Sequence, residues 1–195
     1  MSQRLPSVAD RDGEYYLRQE GQGLLIGAYE KDMRFWDEEG TPLDFAHELF
    51  ADDLDRIEDN MMRAIDSVPA VGTAGIKRVI NGPMIWSPDS NVLFGQHPDL
   101  INYFCCNGII PGFSKSGGMG LMSAQWMVEG ESQYDMFAWD VARFGDWADK
   151  DFTKARVGDQ YAKRFAIHFP NEERYAGRPV RNRPCLLYTS PSPRD

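Results

Sequence analysis

The stretch from Gly108 to Met127, GIIPGFSKSGGMGLMSAQWM, constrains the fold most, because it places several glycines where a helix begins. A glycine inside a helix costs about 1 kcal/mol relative to alanine, so their presence requires a reason. The preceding segment, residues 101–107 (INYFCCN), is typical of a buried strand, and the apolar spacing after the glycines predicts a helix to about Val128. The sequence therefore predicts a strand, a glycine-rich turn and a helix in series.

Two explanations fit the glycines. Glycines allow backbone N–H groups to approach a ligand, and a helix N-terminus carries roughly half a positive charge, so the turn suits an anion or a dipole. Alternatively, the glycines only permit tight packing of the helix on a sheet. The spacing matches neither a phosphate loop, which needs Gly-Lys-Ser/Thr, nor G-x-G-x-x-G. The helix is expected to face the interior with Met119, Met122, Ser123, Trp126 and Met127.

Composition excludes several classes of function. The formal net charge of −9 argues against nucleic-acid binding through a basic surface. No apolar run approaches the roughly 20 residues that span a membrane, and the polar N-terminus lacks the apolar core of a signal peptide. We therefore expect a cytoplasmic protein, or a mitochondrial matrix protein if the source is eukaryotic. Cys105 and Cys106 suit buried strand positions, and no metal site is predicted.

The first part of the chain predicts a hairpin followed by a helix. Residues 14–30 contain two β-rich runs around Gly21-Gln22-Gly23. A helix with one face on a sheet is predicted next, beginning near Asp52 and Asp53 and ending at Pro69. Residues 75–81, GIKRVIN, are predicted to form a strand. The predicted apolar face of the helix comprises Leu54, Ile57, Met61, Met62, Ile65 and Val68.

The last part of the chain has no strong strand pattern. Residues 134–170 suggest short helices, and residues 171–184 form a polar, proline-containing connector. Residues 185–195, CLLYTSPSPRD, resemble the translation of a sequencing-library adapter, so we expect this tail to be non-native and exclude it from the fold. The natural protein is then expected to continue past Pro184.

At this point the order of motifs resembles a known family. Residues 81–131, together with YYLRQEGQGLLIGAYE, FGDW and PNEERYAGRP, are similar to dimethylglycine and sarcosine dehydrogenases of the D-amino-acid-oxidase-like superfamily, over essentially all of residues 12–184. The features that carry the resemblance are Asn81-Gly82-Pro83, Pro88-Asp89, Gly95, Asn102-Tyr103, Gly108, Gly112, Gly117-Gly118, Gly120, Trp126 and Gly130-Glu131.

The resemblance implies a fold and a domain plan. The fold class is α/β, as an α+β fragment that combines the end of an antiparallel substrate-domain sheet with the C-terminal piece of a dinucleotide-binding domain. The implied plan is a polar lead-in at 1–13, the end of the substrate domain at 14–75, the C-terminal part of the FAD-binding domain at 76–133, a helical extension at 134–170, a connector toward a folate-binding domain at 171–184, and the adapter-derived tail at 185–195.

The resemblance also implies the site. In the family the loop before the late helix wraps the flavin ring, and the helix N-terminus points at N1 and the C2 carbonyl. Lys115 departs from the histidine that relatives commonly carry there; it either adds positive charge near the flavin or points to solvent, and we favour solvent. The family's catalytic residues are expected upstream of this sequence. The implied cofactor-binding residues are Gly108, Ile110, Pro111, Gly112, Phe113, Ser114 and Lys115.

The implied function is oxidative demethylation of an N-methylated glycine, dimethylglycine or sarcosine, by hydride transfer to flavin N5 of FAD. Tetrahydrofolate in a further domain would accept the one-carbon unit, and electron-transfer flavoprotein or oxygen would accept the electrons. Two alternatives remain: another secondary or tertiary amine as substrate, or a non-catalytic domain whose glycines serve packing alone. Because G-x-G-x-x-G is absent from this sequence, we expect the chain alone not to hold FAD.

Overall fold

The computed structural model describes residues 5–172 and 174, and within them the chain divides into two compact units. The first unit comprises the described residues up to Met84 together with Ala162–Pro170. The second comprises Ile85–Tyr161 and the described residues after Pro170. The predicted tail at 185–195 and most of the predicted connector at 171–184 lie outside the described residues.

The first unit contains a three-stranded antiparallel sheet. Its strands are β1 (Val8–Asp10), β2 (Tyr15–Glu20) and β3 (Gly23–Ala28), in that order. Glu20 pairs with Gly23, so Gly21 and Gln22 form a two-residue turn, and Gly21 adopts a φ of 58° that glycine tolerates best. The predicted hairpin is confirmed.

A helix covers one face of this sheet. A 3₁₀ turn at Asp55–Ile57 leads into α1 (Glu58–Ser67), and after Pro69 a single turn, α2 (Ala70–Thr73), follows. Ala64 is fully buried and packs with Tyr15 and Leu17 of β2, as the predicted helix-on-sheet contact requires. The predicted apolar face is partly wrong, because Leu54 and Met62 are exposed.

The buried face of α1 is centred instead on Asn60 and Ala64, with Val68 following at the same spacing. Asn60 is buried because its amide donates hydrogen bonds to the carbonyls of Gly13 and Glu14, at 2.9 and 3.2 Å. A polar residue therefore occupies a position that a hydrophobic pattern cannot identify.

The strand predicted at residues 75–81 does not form. The backbone there is irregular and has no strand partner among the described residues. Asn81 instead binds the neighbouring segment: its carbonyl accepts from the Phe50 amide at 2.8 Å, and its side-chain amide donates to Ala51 at 2.7 Å. A segment with high β propensity forms a strand only where a neighbouring strand is available for pairing.

The second unit is built on a hairpin and a long helix. Strands β4 (Leu93–Gln96) and β5 (Phe104–Asn107) are antiparallel, and α3 (Gly112–Glu129) follows β5. A 3₁₀ turn at Val141–Arg143 follows, and then α4 (Lys150–Ala162), of which all but the last residue belongs to this unit. The helix predicted from the glycine-rich turn to about Val128 is confirmed. The core comprises Val92, Phe94, Met119, Met122 and Met136.

Two predicted interior positions in this unit are wrong. Cys106 is exposed while Cys105 is buried, because successive residues of a strand face opposite sides and only one side of β5 contacts the core. Met127 is 62 % exposed, because the contact of α3 with the hairpin ends at Trp126.

The structure combines helices with antiparallel strands, in agreement with the expected α+β fragment. Among the residues described here, no helix is both long and apolar enough to cross a bilayer. The same residues contain no group of three or more His, Cys, Asp or Glu side chains that could hold a metal ion.

Candidate functional site

The predicted site residues lie together where β5 turns into α3. Gly108 makes the turn with a φ of 65°, in the region that glycine tolerates best. Its backbone lies against the start of β4, since a Cβ on Gly108 would stand 3.9 Å from the Leu93 nitrogen and 4.0 Å from the Asn91 carbonyl oxygen. Ile110 and Pro111 then lead into the helix.

The last four predicted site residues belong to the first turn of α3 rather than to a loop. Pro111 is the N-cap residue, and Gly112 is the first residue of the helix. The first amides of an α-helix have no acceptor within the helix. No side chain caps this helix, and its first turn contains no acidic residue. The exposed amides and the positive end of the helix dipole therefore remain available to an electronegative group.

Lys115 brings a full positive charge to this turn. Its Nζ donates a hydrogen bond of 2.7 Å to the carbonyl oxygen of Ile110, and the residue is partly buried. The ammonium is therefore turned back along the first turn of α3. The Ile110 carbonyl gives Lys115 a partner close to the helix start, and whether the ammonium faces solvent or a flavin stays a prediction.

The glycines of α3 have almost no close neighbours among the residues that the structure describes. A Cβ built on Gly112, Gly117 or Gly120 would meet nothing within 4 Å, and one on Gly118 would meet only the Met122 methyl group at 3.9 Å. Phe113, on the same exposed first turn, is 100 % exposed. Tight packing on the sheet of this unit therefore does not account for these glycines.

The turn rests on a segment that an ion pair holds in place. Arg143 binds Asp89 through two hydrogen bonds, Nε to Oδ2 at 2.8 Å and Nη2 to Oδ1 at 2.9 Å. Arg143 also donates to the carbonyls of Asp140 at 2.8 Å and Asn91 at 3.4 Å. The Asn91 backbone amide donates to the Asp89 carboxylate at 3.1 Å, so both the N–H and the carbonyl of Asn91 are hydrogen-bonded. We call the side chains of Asp89 and Arg143, together with the backbone of Asn91, the clasp.

The clasp changes the acidity of Asp89. Burial on its own would raise the pKa of the Asp89 carboxyl group, but the hydrogen bonds from Arg143, the Asn91 amide and Ser87 and the nearby guanidinium charge outweigh it. The pKa of Asp89 therefore lies below its ordinary value, and the ion pair is maintained at neutral pH.

The sequence contains three histidines. His47 is exposed. His97 has local hydrogen bonds, because its Nδ1 accepts from the Asp99 amide at 3.2 Å and its own amide donates to the Tyr103 carbonyl at 2.9 Å. His168 is exposed.

Sequence reasoning missed the clasp. Asp89 appears in the sequence only as part of the Pro88-Asp89 feature of the family resemblance, and Arg143 is 54 residues away, in a segment without a strong pattern. A pair this distant in sequence has no local signal, because only the folded hairpin and the 3₁₀ turn bring the two side chains together.

Comparison with known proteins agrees with the resemblance. A family profile described as the FAD dependent oxidoreductase central domain matches residues 129–182. The chain is 37% identical over 185 residues to mitochondrial dimethylglycine dehydrogenase of Mus musculus, covering 92% of this chain and 21% of that protein. It is 36% identical to mitochondrial sarcosine dehydrogenase of Mus musculus, covering 93% and 20%, respectively.

A bacterial relative extends the comparison. The chain is 33% identical to the 4-methylaminobutanoate oxidase (formaldehyde-forming) of Paenarthrobacter nicotinovorans, covering 92% of this chain and 22% of that protein. The chain thus spans about a fifth of the length of the curated relatives it matches. Along nearly its whole sequence the chain is similar to dimethylglycine and sarcosine dehydrogenases, and part of it matches the FAD dependent oxidoreductase central domain, which is consistent with a fragment of that family.

Proposed function

We propose that this chain is the part of an FAD-dependent N-methylglycine dehydrogenase in which residues 108–115 line the pyrimidine end of the flavin. In this proposal Gly108, Ile110 and Pro111 form the wall beside the ring. The first-turn residues Gly112, Phe113, Ser114 and Lys115 supply backbone amides and one ammonium group.

The main support for this proposal is the empty space beside the glycines of α3. Helix interiors disfavour glycine, yet within the described part of the chain the glycines of α3 have no packing contact that would require them. A flat ligand that approaches the backbone closely would explain their absence of side chains. A non-catalytic domain whose glycines serve packing alone would require neighbours at these positions from residues outside those described.

The charges at the start of α3 suit a reduced flavin. When bound, FAD supplies the acceptor, at N5, for the hydride from the substrate's N-methyl carbon. The negative charge of a reduced flavin would lie at the pyrimidine end of the ring, beside the first turn of α3. The uncapped amides of α3 and the ammonium of Lys115 are fixed before that charge appears, which is the form of electrostatic stabilisation that costs no reorganisation.

The substrate follows from the relatives. Two of them are named for dimethylglycine and for sarcosine, so we propose one of these two N-methylated glycines as the substrate. The name of the bacterial relative, which contains 4-methylaminobutanoate, favours a second candidate in which the substrate is a longer secondary amine. The residues that would distinguish these substrates are expected upstream of this sequence.

The rest of the enzyme is proposed from the family resemblance. Tetrahydrofolate bound by a further domain would take the one-carbon unit, and either electron-transfer flavoprotein or oxygen would take the electrons. The mitochondrial relatives suggest the matrix as the compartment if the source is eukaryotic. The domain plan given above and the connector at 171–184 are part of this proposal.

The experiment uses the complete protein in which this sequence lies. The purified protein is expected to be yellow, and dimethylglycine or sarcosine added without oxygen is expected to bleach its absorbance near 450 nm, a band general to oxidised flavins. Bleaching by 4-methylaminobutanoate alone would support the second candidate. A colourless protein would contradict both candidates. Release of formaldehyde with and without tetrahydrofolate tests the one-carbon step.

A further inference from the structure

Arg143 lies outside the predicted site, yet its contacts lead to it. The Arg143 side chain is 10 % exposed, and its guanidinium uses all three nitrogens, two on Asp89 and one on the Asp140 carbonyl. Arginine is suited to this arrangement because its planar fork matches a carboxylate bidentately, which lysine cannot do.

The clasp fixes the backbone just before β4. Asp89 accepts from the Asn91 amide, and Arg143 donates to the Asn91 carbonyl. The strand that follows is held on both sides. Leu93 pairs with Asn107 of β5, and the Phe94 amide donates to the Trp139 carbonyl at 2.9 Å. The segment from Asn91 to Phe94 therefore has little freedom to move while the clasp is formed.

Gly108 lies against this fixed segment. Its left-handed backbone brings it next to the Asn91 carbonyl and the Leu93 nitrogen, and the chain enters α3 four residues later. A shift of Asn91 would remove the support on which the turn rests. The ion pair does not itself reach the turn; it is connected to it through Asn91, whose carbonyl accepts from Arg143 and also from the Ser87 hydroxyl at 2.5 Å.

From these contacts we propose that Arg143 and Asp89 are positioning residues, which act through Asn91 and Gly108 to aim the start of α3 at its ligand. This inference rests on the proposed function, in which that ligand is the flavin. It assigns Arg143 a role in cofactor affinity and electronic environment, in addition to any role in stability.

The test compares Arg143→Lys with the wild type in the complete protein. Lysine keeps the charge but loses the bidentate contact. We expect the dissociation constant of FAD to rise about tenfold, the visible flavin spectrum to shift, and hydrogen exchange of residues 105–115 to increase. Asp89→Asn keeps the shape of the side chain and is expected to change FAD affinity, the flavin spectrum and hydrogen exchange in the same direction. It replaces Arg143→Lys as the test variant if that variant does not fold.

The control is Arg56→Lys. Arg56 forms a comparable partly buried ion pair with Glu30 at 2.6 Å in the first unit, and it contacts no residue of the clasp among the described interactions. The Arg56→Lys variant is expected to leave FAD affinity and the flavin spectrum unchanged. If Arg143 had a purely structural role, Arg143→Lys and Asp89→Asn would lower thermal stability and leave the spectrum of bound flavin unaltered.

The two proposals fail differently. If the wild type holds no flavin, both the proposed function and this inference are wrong. If the wild type holds flavin and both clasp variants match it in affinity and spectrum, only the inference is wrong. Partial rescue of Arg143→Lys by Asp89→Glu, whose longer side chain shortens the gap to the lysine, would support it further.

Discussion

The indole ring of Trp126 in α3 lies directly over the backbone of Gly95 in β4. A Cβ built on Gly95 would stand 2.8 Å from the indole Cη2, and Gly95 has a φ of 107°. The same indole packs edge-on against Phe94 and Phe104, each with its ring centroid at 5.8 Å. Gly95 and Trp126, which both belong to the motifs of the family resemblance, are thus two halves of one contact.

Gly95→Ala is expected to destabilise the second unit by about 2–4 kcal/mol, because alanine is strained at this φ and its methyl group overlaps the indole. Hydrogen exchange of β4, β5 and α3 measures the effect within this unit. The matched control is Gly108→Ala, which shares the positive φ but meets its nearest atoms only at 3.9 Å, and should therefore cost less.

A double-mutant cycle separates the two causes. In the background of Trp126→Phe the overlap is smaller while the backbone strain is unchanged, so Gly95→Ala should cost less there by about 1 kcal/mol. An equal cost in both backgrounds would show that the indole does not exclude the side chain.

In the first unit, Asn60→Ala is expected to lower stability by about 1–3 kcal/mol, because the carbonyls of Gly13 and Glu14 lose their donor in a buried position. Thermal unfolding or hydrogen exchange of β2 and α1 measures the change. Asp66→Ala, at an exposed position of the same helix, is the control and should have little effect. Comparable losses for both variants would argue against a structural role of the buried amide.

Local patterns predicted much of this fold. The two-residue turn at Gly21-Gln22 and the extent of α3 follow from turn chemistry and from apolar spacing, which act within a few residues. The segment at 75–81 shows the limit, because a strand also needs a partner that the segment itself does not specify. Asn60 shows a second limit, since a buried polar residue depends on which carbonyls lie opposite.

The candidate site was predictable in position but not in detail. The glycines and Pro111 mark the turn, and the helix start follows from them. The backbone partner of Lys115 and the clasp could not be predicted, because both depend on side-chain directions and on contacts distant in sequence. The role of residues 108–115 in binding flavin remains a proposal with its own test above.

The absence of neighbours around the glycines of α3 leads to a simple prediction. In this chain expressed alone, Gly117→Ala and Gly120→Ala should each stabilise α3 by up to about 1 kcal/mol, because alanine is the better helix former and nothing opposes its methyl group. Hydrogen exchange of α3 reports the change. Destabilisation by either substitution would mean that these glycines have packing contacts within the chain.

The proposed role of Lys115 is tested by Lys115→Met in the complete protein. Loss of the ammonium should make the bound flavin harder to reduce, by about 0.5–2 kcal/mol, because a positive charge near the developing negative charge is removed. The midpoint potential measures this effect. Lys115→Arg keeps the positive charge and should therefore have a midpoint potential close to that of the wild type. If methionine leaves the potential unchanged, the ammonium does not act on the flavin.

The clasp also makes stability depend on pH. Because the pKa of Asp89 in the folded protein lies below its ordinary value of 3.8, the unfolded chain binds the proton more readily. The stabilisation from the ion pair is therefore complete above the ordinary pKa and is lost as the pH falls through the lower, folded pKa. Asp89→Asn removes this contribution, and we expect it to cost about 1–3 kcal/mol at pH 7.

The difference between the wild type and Asp89→Asn should consequently be constant from pH 7 to about pH 5 and should shrink as the pH falls below 3.8. Hydrogen exchange of residues 86–96, measured with a correction for the intrinsic pH dependence, localises the effect to the clasp. Asp151→Asn, at an exposed carboxylate of α4, controls for the loss of one negative charge. A difference that stays constant down to the lowest pH would show that the hydrogen bonds to Asp89 do not require its charge.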